Sequence, residues 1–155
     1  MGKFDALFHP RGVAIVGASR DLARGGGQPV QALLRHGYSG AVYPVNPKYD
    51  EIGGVRCYRS VREIDGPCDL AVIALPAAAA AEALRECTAT GVRFAVIYGG
   101  GFREAGSAGE SRERELLEVA HAGGVRLIGP NCLGVVNITD RVYAAFGSMT
   151  REPLL

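Results

Sequence analysis

Val13-Ala14-Ile15-Val16-Gly17-Ala18-Ser19-Arg20 reads as a short, continuously apolar strand that stops at a glycine and passes into a small, basic turn. Asp21 to Arg24 and the run Gly25-Gly26-Gly27 follow, ahead of a helical segment. A strand that ends this way in front of a helix leaves backbone N–H groups free, and such a turn seats a phosphate. The spacing departs from Gly-x-Gly-x-x-Gly, because Ser19 holds the second glycine position and Leu22 the third. The turn is therefore expected to serve a nucleotide, but not as a standard NAD turn. If a ligand approaches the backbone here, Gly17→Val is expected to abolish binding.

Outward from this turn the chain alternates between two periods. Gly12 to Val16 has the composition of a strand buried on both faces of a parallel sheet. Gln28 to His36 is predicted to be a helix with Pro29 in its first turn, Val30, Leu33 and Leu34 as its buried stripe, and Gly37 as its stop. Upstream, Phe4 to Pro10 is a lead-in in which Leu7 and Phe8 pack inward and His9 stays at the surface. Downstream, strand two spans Ala41 to Val45 and runs into Asn46-Pro47-Lys48. An NAD domain usually carries Asp or Glu there for the ribose hydroxyl, whereas a lysine favours a phosphorylated ribose, as in coenzyme A or NADP. Asn46-Pro47 also reads simply as a turn opener.

The remaining elements repeat the pattern. Tyr49 to Cys57 is read as a loop with a Gly53-Gly54 turn, and Ser60 caps a short helical turn through Ile64. Strand three is Leu70 to Leu75, and Pro76 opens an alanine-rich helix through Thr90 with Ala80, Leu84 and Cys87 inside. Strand four, Phe94 to Tyr98, meets Gly99-Gly100-Gly101-Phe102, either a place for close ligand approach or a loop needing unusual φ values. Arg103 to Gly109 is a polar loop, followed by a helix from Glu110 to Ala122 with Leu116, Leu117 and Ala120 inside. His121, in its last turn, reads as a helix-end or exposed residue. Strand five, Val125 to Ile128, leads into Gly129-Pro130-Asn131-Cys132-Leu133-Gly134, read as a site loop in which Cys132, without a His or Asp nearby in sequence, is a packing residue rather than a nucleophile. Five β-to-α units in succession predict an α/β, Rossmann-like, doubly wound and mainly parallel sheet with helices on both faces, its strand C-termini gathered on one edge.

Composition sets the bounds. A chain of 155 residues, 48% hydrophobic and 21% charged, suffices for one domain with a good core. The formal net charge of +1 offers no global attraction to nucleic acid or an acidic membrane, so Arg20, Arg24 and Lys48 matter only locally. Four scattered cysteines without a C-x-x-C pair suggest a reduced, cytoplasmic protein without structural zinc. The longest apolar run is broken at Glu82, so neither a membrane span nor an export signal is expected.

Four ordered motifs carry a resemblance: residues 13–20, Tyr-Pro-Val-Asn-Pro-Lys at 43–48, Asp-Leu-Ala-Val-Ile-Ala-Leu-Pro at 69–76, and Ile-Gly-Pro-Asn-Cys-Leu-Gly at 128–134. Together they resemble the N-terminal CoA-binding domain of the NDP-forming acyl-CoA synthetases, relatives of the succinyl-CoA synthetase alpha subunit, a domain also carried by large protein acetyltransferases. The resemblance covers about residues 4 to 147. It implies coenzyme A as ligand, with Gly17, Ala18, Ser19 and Arg20 at its phosphates, and Asn46, Pro47 and Lys48 at its adenosine and 3′-phosphate end. Leu75 and Pro76 would meet the adenine or pantetheine. Ile97, Tyr98, Gly99 and Gly100, with Asn131, Cys132 and Leu133, would line the path to the thiol. Tyr98-Gly99-Gly100 departs from the family's more usual Ser-Ala before Gly-Phe.

In that family an ATP-grasp domain and a phosphorylated histidine on a further domain complete the ligase reaction. None of the three histidines here sits in such a motif. The resemblance thus implies a module of residues 1–147 that binds CoA or acyl-CoA, with 148–155 starting a linker to a further domain, and partner domains in the same or another chain. By itself it would not complete catalysis. A CoA-sensing module of an acetyltransferase is the alternative, and an NAD(P)-binding domain a weaker third.

Overall fold

The computed structural model describes residues 2–152. The last part of the expected linker, 153–155, lies outside them. In chain order the elements are α1 (Asp5–Phe8), β1 (Gly12–Val16), α2 (Gly27–Arg35), β2 (Ala41–Val45), β3 (Glu51–Ile52), β4 (Val55–Arg56), β5 (Leu70–Ile73), α3 (Ala77–Thr88), β6 (Phe94–Ile97), α4 (Ser107–Gly123), β7 (Arg126–Ile128), β8 (Gly134–Asn137) and β9 (Val142–Ala145). Short 3₁₀ turns at Val61–Glu63, Arg103–Ala105 and Ser148–Thr150 join them.

The main sheet has the order β2-β1-β5-β6-β7, and every pairing in it is parallel. Strands β1, β5 and β6 are buried along their whole length, which is why their sequences are continuous apolar runs. Their side chains still alternate between two cores. Val13 and Ile15, Leu70 and Val72, and Phe94 and Val96 face the α2 side. Ala14, Ala71 and Ala95 face the other side, packed with Leu84 of α3 and Leu116 of α4. Those three alanines are in register across β1, β5 and β6, a row of methyl groups that lets the alanine-rich α3 come close to the sheet.

The expectation of five β-to-α units needs correcting. Helices make only three of the connections: α2 between β1 and β2, α3 between β5 and β6, and α4 between β6 and β7. Between β2 and β5 the chain forms the antiparallel β3–β4 pair around Gly53 and Gly54, then the 3₁₀ turn whose first N–H groups Ser60 caps by accepting from Arg62 N at 3.1 Å. This segment has no 3.6-residue apolar stripe to bury, so no helix forms. After β7 comes not a helix but the β8–β9 hairpin, which lays Val142 and Ala144 into the α2-side core.

Three inward assignments also change. Leu117 is 50% exposed because Leu116, Ala120 and Gly109 already occupy the one face α4 turns inward, and neighbouring residues on a helix point about 100° apart. Leu34 and Phe8 are likewise exposed, while Leu33 and Leu7 beside them are buried. His9 is at the surface as expected, where its Nδ1 contacts the Asp140 carboxylate.

One ion pair, its carboxylate buried and its guanidinium exposed, ties the starts of β1 and β5 together. Asp69, 5% exposed, accepts from Arg11 N at 2.8 Å, Nε at 2.9 Å and Nη2 at 2.7 Å. The hydrogen bond from the Arg11 side chain holds the Asp69 carboxyl below its ordinary pKa. A carboxyl depressed in the folded state contributes stability above the unfolded value of about 3.9, and loses it as pH falls through the lower folded value. Asp69→Asn is therefore expected to lower the thermal midpoint at pH 7, with a gap to wild type that narrows below pH 4. Midpoints measured from pH 7 to pH 2.5 check this; a constant gap would assign the loss to packing.

Candidate ligand-binding site

The sheet order reverses between β1 and β5, which lie side by side while their chain connections run to opposite sides. Ligands of open α/β sheets bind outside the strand C-termini at such a switch point. Here two clefts open on that edge, and Leu75, just past β5, lines both. The first, of about 340 Å³, is apolar, with Leu75, Pro76, Tyr98 and Phe146 among its walls and Gly99 and Gly100 supplying backbone. The second, of about 460 Å³, carries the charged side chains and lies between Gly17, the Asn46-Pro47-Lys48 turn, Arg59 and the outer face of α3 at Glu82 and Glu86.

The turn after β1 is built differently from the expectation. Gly17 N and Ala18 N both donate to Val45 O, at 3.0 and 3.3 Å, so these two N–H groups are not free. Asn46 extends the same lacing: its Nδ2 donates to Ala18 O at 2.8 Å and its Oδ1 accepts from Lys48 N at 2.9 Å. Ala18 is fully buried and has both polar backbone groups engaged. The N–H groups of Ser19 and Arg20 remain without a partner among the described residues. The Asn46 amide thus fixes the two turns relative to each other, a role more specific than either a ligand contact or a plain turn. Arg20 lies over the Tyr49 ring at 4.5 Å.

The second cleft carries two cations and two carboxylates, and they differ in their partners. Lys48 and Arg59 make no ion pair among the described residues. The carboxylates opposite are engaged: Glu82 accepts from Arg85 at 3.0 Å, and Glu86 from the Ser60 hydroxyl at 2.8 Å. The cleft therefore offers two uncommitted cations to an anionic ligand.

The glycine run after β6 is constrained by the fold at two of its positions. A Cβ on Gly99 would meet Leu75 O at 2.8 Å, and Gly101 has φ +97°, so these two answer to the fold. Glu104 Oε1 accepts from Gly101 N at 2.5 Å and Phe102 N at 3.2 Å, and these bonds hold its carboxyl below the usual range. Gly100 stays exposed on the cleft. In the loop after β7, the Cys132 thiol donates to Ile97 O and Ile128 O at 3.5 and 3.7 Å, and burial raises its pKa. It packs as a neutral thiol.

The clefts bring together Gly17, Asn46, Pro47, Lys48, Leu75, Pro76, Tyr98, Gly99 and Gly100. Ser19, Arg20, Asn131, Cys132 and Leu133 line neither, and the Ile97 side chain is fully buried in the core. Sequence reasoning missed Arg59 and Phe146. Arg59 arrives beside Lys48 because Tyr58 bridges to Val45 and its carbonyl accepts from Asn46 N at 2.9 Å. Phe146 is delivered by the β8–β9 hairpin. Neither had a local motif.

Residues 11–138 match the family described as a CoA binding domain. The chain is 41% identical over 148 residues to the alpha subunit of ADP-forming acetate–CoA ligase II of Pyrococcus furiosus, covering 96% of this chain and 32% of that one. It is 45% identical over 148 residues to ADP-forming acetate–CoA ligase I of Archaeoglobus fulgidus, covering 96% and 21% respectively. The structure of the dinucleotide-forming acetyl-coenzyme A synthetase 1 of Ca. Korarchaeum cryptofilum, in complex with phosphate and ADP, superimposes with a TM-score of 0.89 at 39% identity, covering 95% of this chain and 31% of that one. The chain spans a third or less of the length of these relatives. No helix among the described residues is long and apolar enough to cross a membrane.

Proposed function

Since the chain belongs to the CoA-binding domain family, we propose that it is the CoA-holding module of an ADP- or GDP-forming acyl-CoA synthetase, which joins an acid and CoA at the expense of a nucleoside triphosphate. The observation that carries this reading is the pair of clefts meeting at Leu75, one apolar and one with two uncommitted cations. Coenzyme A has the same division, an adenosine 3′-phosphate diphosphate at one end and a largely apolar pantetheine arm at the other.

In this reading Lys48 and Arg59 receive the 3′-phosphate end, and the free N–H groups of Ser19 and Arg20 receive the diphosphate. Pro76, Tyr98 and Gly100 guide the arm toward the loop at Asn131 to Leu133. Gly17, Ala18 and Asn46 act by holding the two turns together. The chain's own contribution is to bind CoA and fix its thiol; making and transferring the acyl phosphate falls to ATP-grasp and phosphohistidine-bearing domains of the same or a partner chain. Residues from 148 onward would lead toward those domains.

Titration calorimetry with CoA, dephospho-CoA, NADP and NAD tests this. CoA is expected to bind, dephospho-CoA more weakly, and NAD not at all; preference for NADP or NAD would overturn the assignment. Lys48→Ala should weaken CoA more than dephospho-CoA, by about 1–3 kcal/mol for a lost charge-assisted bond. Equal losses for the two ligands would move the 3′-phosphate elsewhere.

A further inference from the structure

A buried hydroxyl without a partner stands beside the apolar cleft. Tyr98 follows the end of β6 on the α2 side of the sheet, where its ring lines the cleft while the residue is only 8% exposed. Phe146 covers it, with ring centroids 4.7 Å apart and planes inclined at 52°. The Tyr98 hydroxyl oxygen is buried, and no hydrogen-bond partner reaches it among the described residues. The Cys132 thiol is engaged by two backbone carbonyls. Burial keeps the phenol neutral, its pKa well above the ordinary value of 10, so it can both donate and accept.

Leaving such a group unpaired forfeits its hydration, and phenylalanine would fill the same space without that loss. Unsatisfied groups of this kind are few in native proteins, and each calls for an explanation. The cleft walls indicate what partner would supply one. Leu75, Pro76 and Phe146 present hydrocarbon, and the buried Tyr98 hydroxyl is the one polar side-chain group carried by the residues that line the cleft. A ligand segment that is mostly apolar but carries isolated amides fits this distribution, and the pantetheine arm, with its two amides, is such a segment. Phe146 is only half-buried, so it can move aside to bring the hydroxyl into contact.

We infer that Tyr98 is a positioning residue for the pantetheine arm, its hydroxyl pairing with an arm amide once Phe146 shifts. The inference rests on the CoA reading above. Its test compares wild type and Tyr98→Phe, each titrated with CoA and with adenosine 3′,5′-bisphosphate, which lacks the arm, and each unfolded in urea. Tyr98→Phe is expected to unfold at the same or a higher urea concentration, to bind CoA about fivefold to tenfold more weakly, and to bind the bisphosphate as wild type does. Unchanged CoA affinity would overturn the inference and leave the CoA reading standing. So would equal weakening for both ligands, or a clear loss of stability, which would mean that the hydroxyl is already paired in the free protein. A wild type that binds neither ligand would overturn the CoA reading and this inference together.

Discussion

Gly26→Ala is expected to lower the stability of the chain by at least about 3 kcal/mol, at or beyond the upper end of what overpacking usually costs. The reason lies in which atoms the new methyl group would meet. A Cβ at Gly26 would stand 2.2 Å from Gly17 O and 3.1 Å from the Ala18 Cα. These are backbone atoms of the turn after β1, and that turn is itself laced to Val45 and Asn46. No rotamer change relieves such a clash; either the start of α2 moves away from the sheet or the turn comes undone. Gly25 next door is the internal control. It has φ +47° but open space around the Cβ position, so Gly25→Ala should cost only the left-handed backbone penalty, about 1–2 kcal/mol. Urea unfolding of both variants checks this, and similar midpoints for the two would overturn it. Gly17 obeys the same logic. A Cβ there would lie 2.6 Å from Ala74 O and 2.8 Å from Leu75 Cδ2, so Gly17→Val is expected to act through the fold, and not, as the sequence reading had it, by blocking a ligand's approach to the backbone.

That revision shows where the sequence was informative and where it was not. Buried parallel strands were legible because full burial demands unbroken apolar runs, and Val13–Val16, Leu70–Ile73 and Phe94–Ile97 are such runs. Their glycine and proline exits marked the ligand edge for the same reason, since the chain must leave the sheet there. The β8–β9 hairpin was not legible: Gly134 to Ala145 mixes exposed, half-buried and buried residues, and β9 is buried by the core it shares with α2. Partners distant in sequence were equally hidden. Nothing local in Arg59 indicates that residue 58 joins the edge of β2. Nor does Asn46 announce that its amide holds a carbonyl 28 residues away. Sequence spacing shows which groups reach the edge, whereas hydrogen-bond accounting decides which are still free for a ligand once there.

Phe102→Ala is expected to cost about 3–5 kcal/mol, the range for emptying a buried aromatic site. Phe102 is fully buried in the core beneath α3 and α4, yet it directly follows the glycine run that borders the apolar cleft. Its ring therefore anchors a loop whose own glycines supply no side chain to hold it. The packing around it cannot easily close, because Gly109 of α4 already sits against the Phe102 carbonyl so tightly that a Cβ there would lie 1.7 Å from the oxygen. A helix held at that distance is not free to settle into the space left by the ring. In urea the midpoint should fall with the slope unchanged, the mark of lost stability without a change in the denatured chain. Phe102→Leu, which keeps most of the volume, should lose less than half as much. A ligand effect should accompany the loss. At temperatures where Phe102→Ala is still folded, Gly99 to Gly101 keep their hydrogen bonds to Asn131 N, the Glu104 carboxylate and Arg112 but lose the aromatic anchor, so CoA should bind more weakly than to Phe102→Leu. Equal CoA affinity in the two variants would show instead that these hydrogen bonds suffice to fix the loop, and that the aromatic anchor serves the core and not the site.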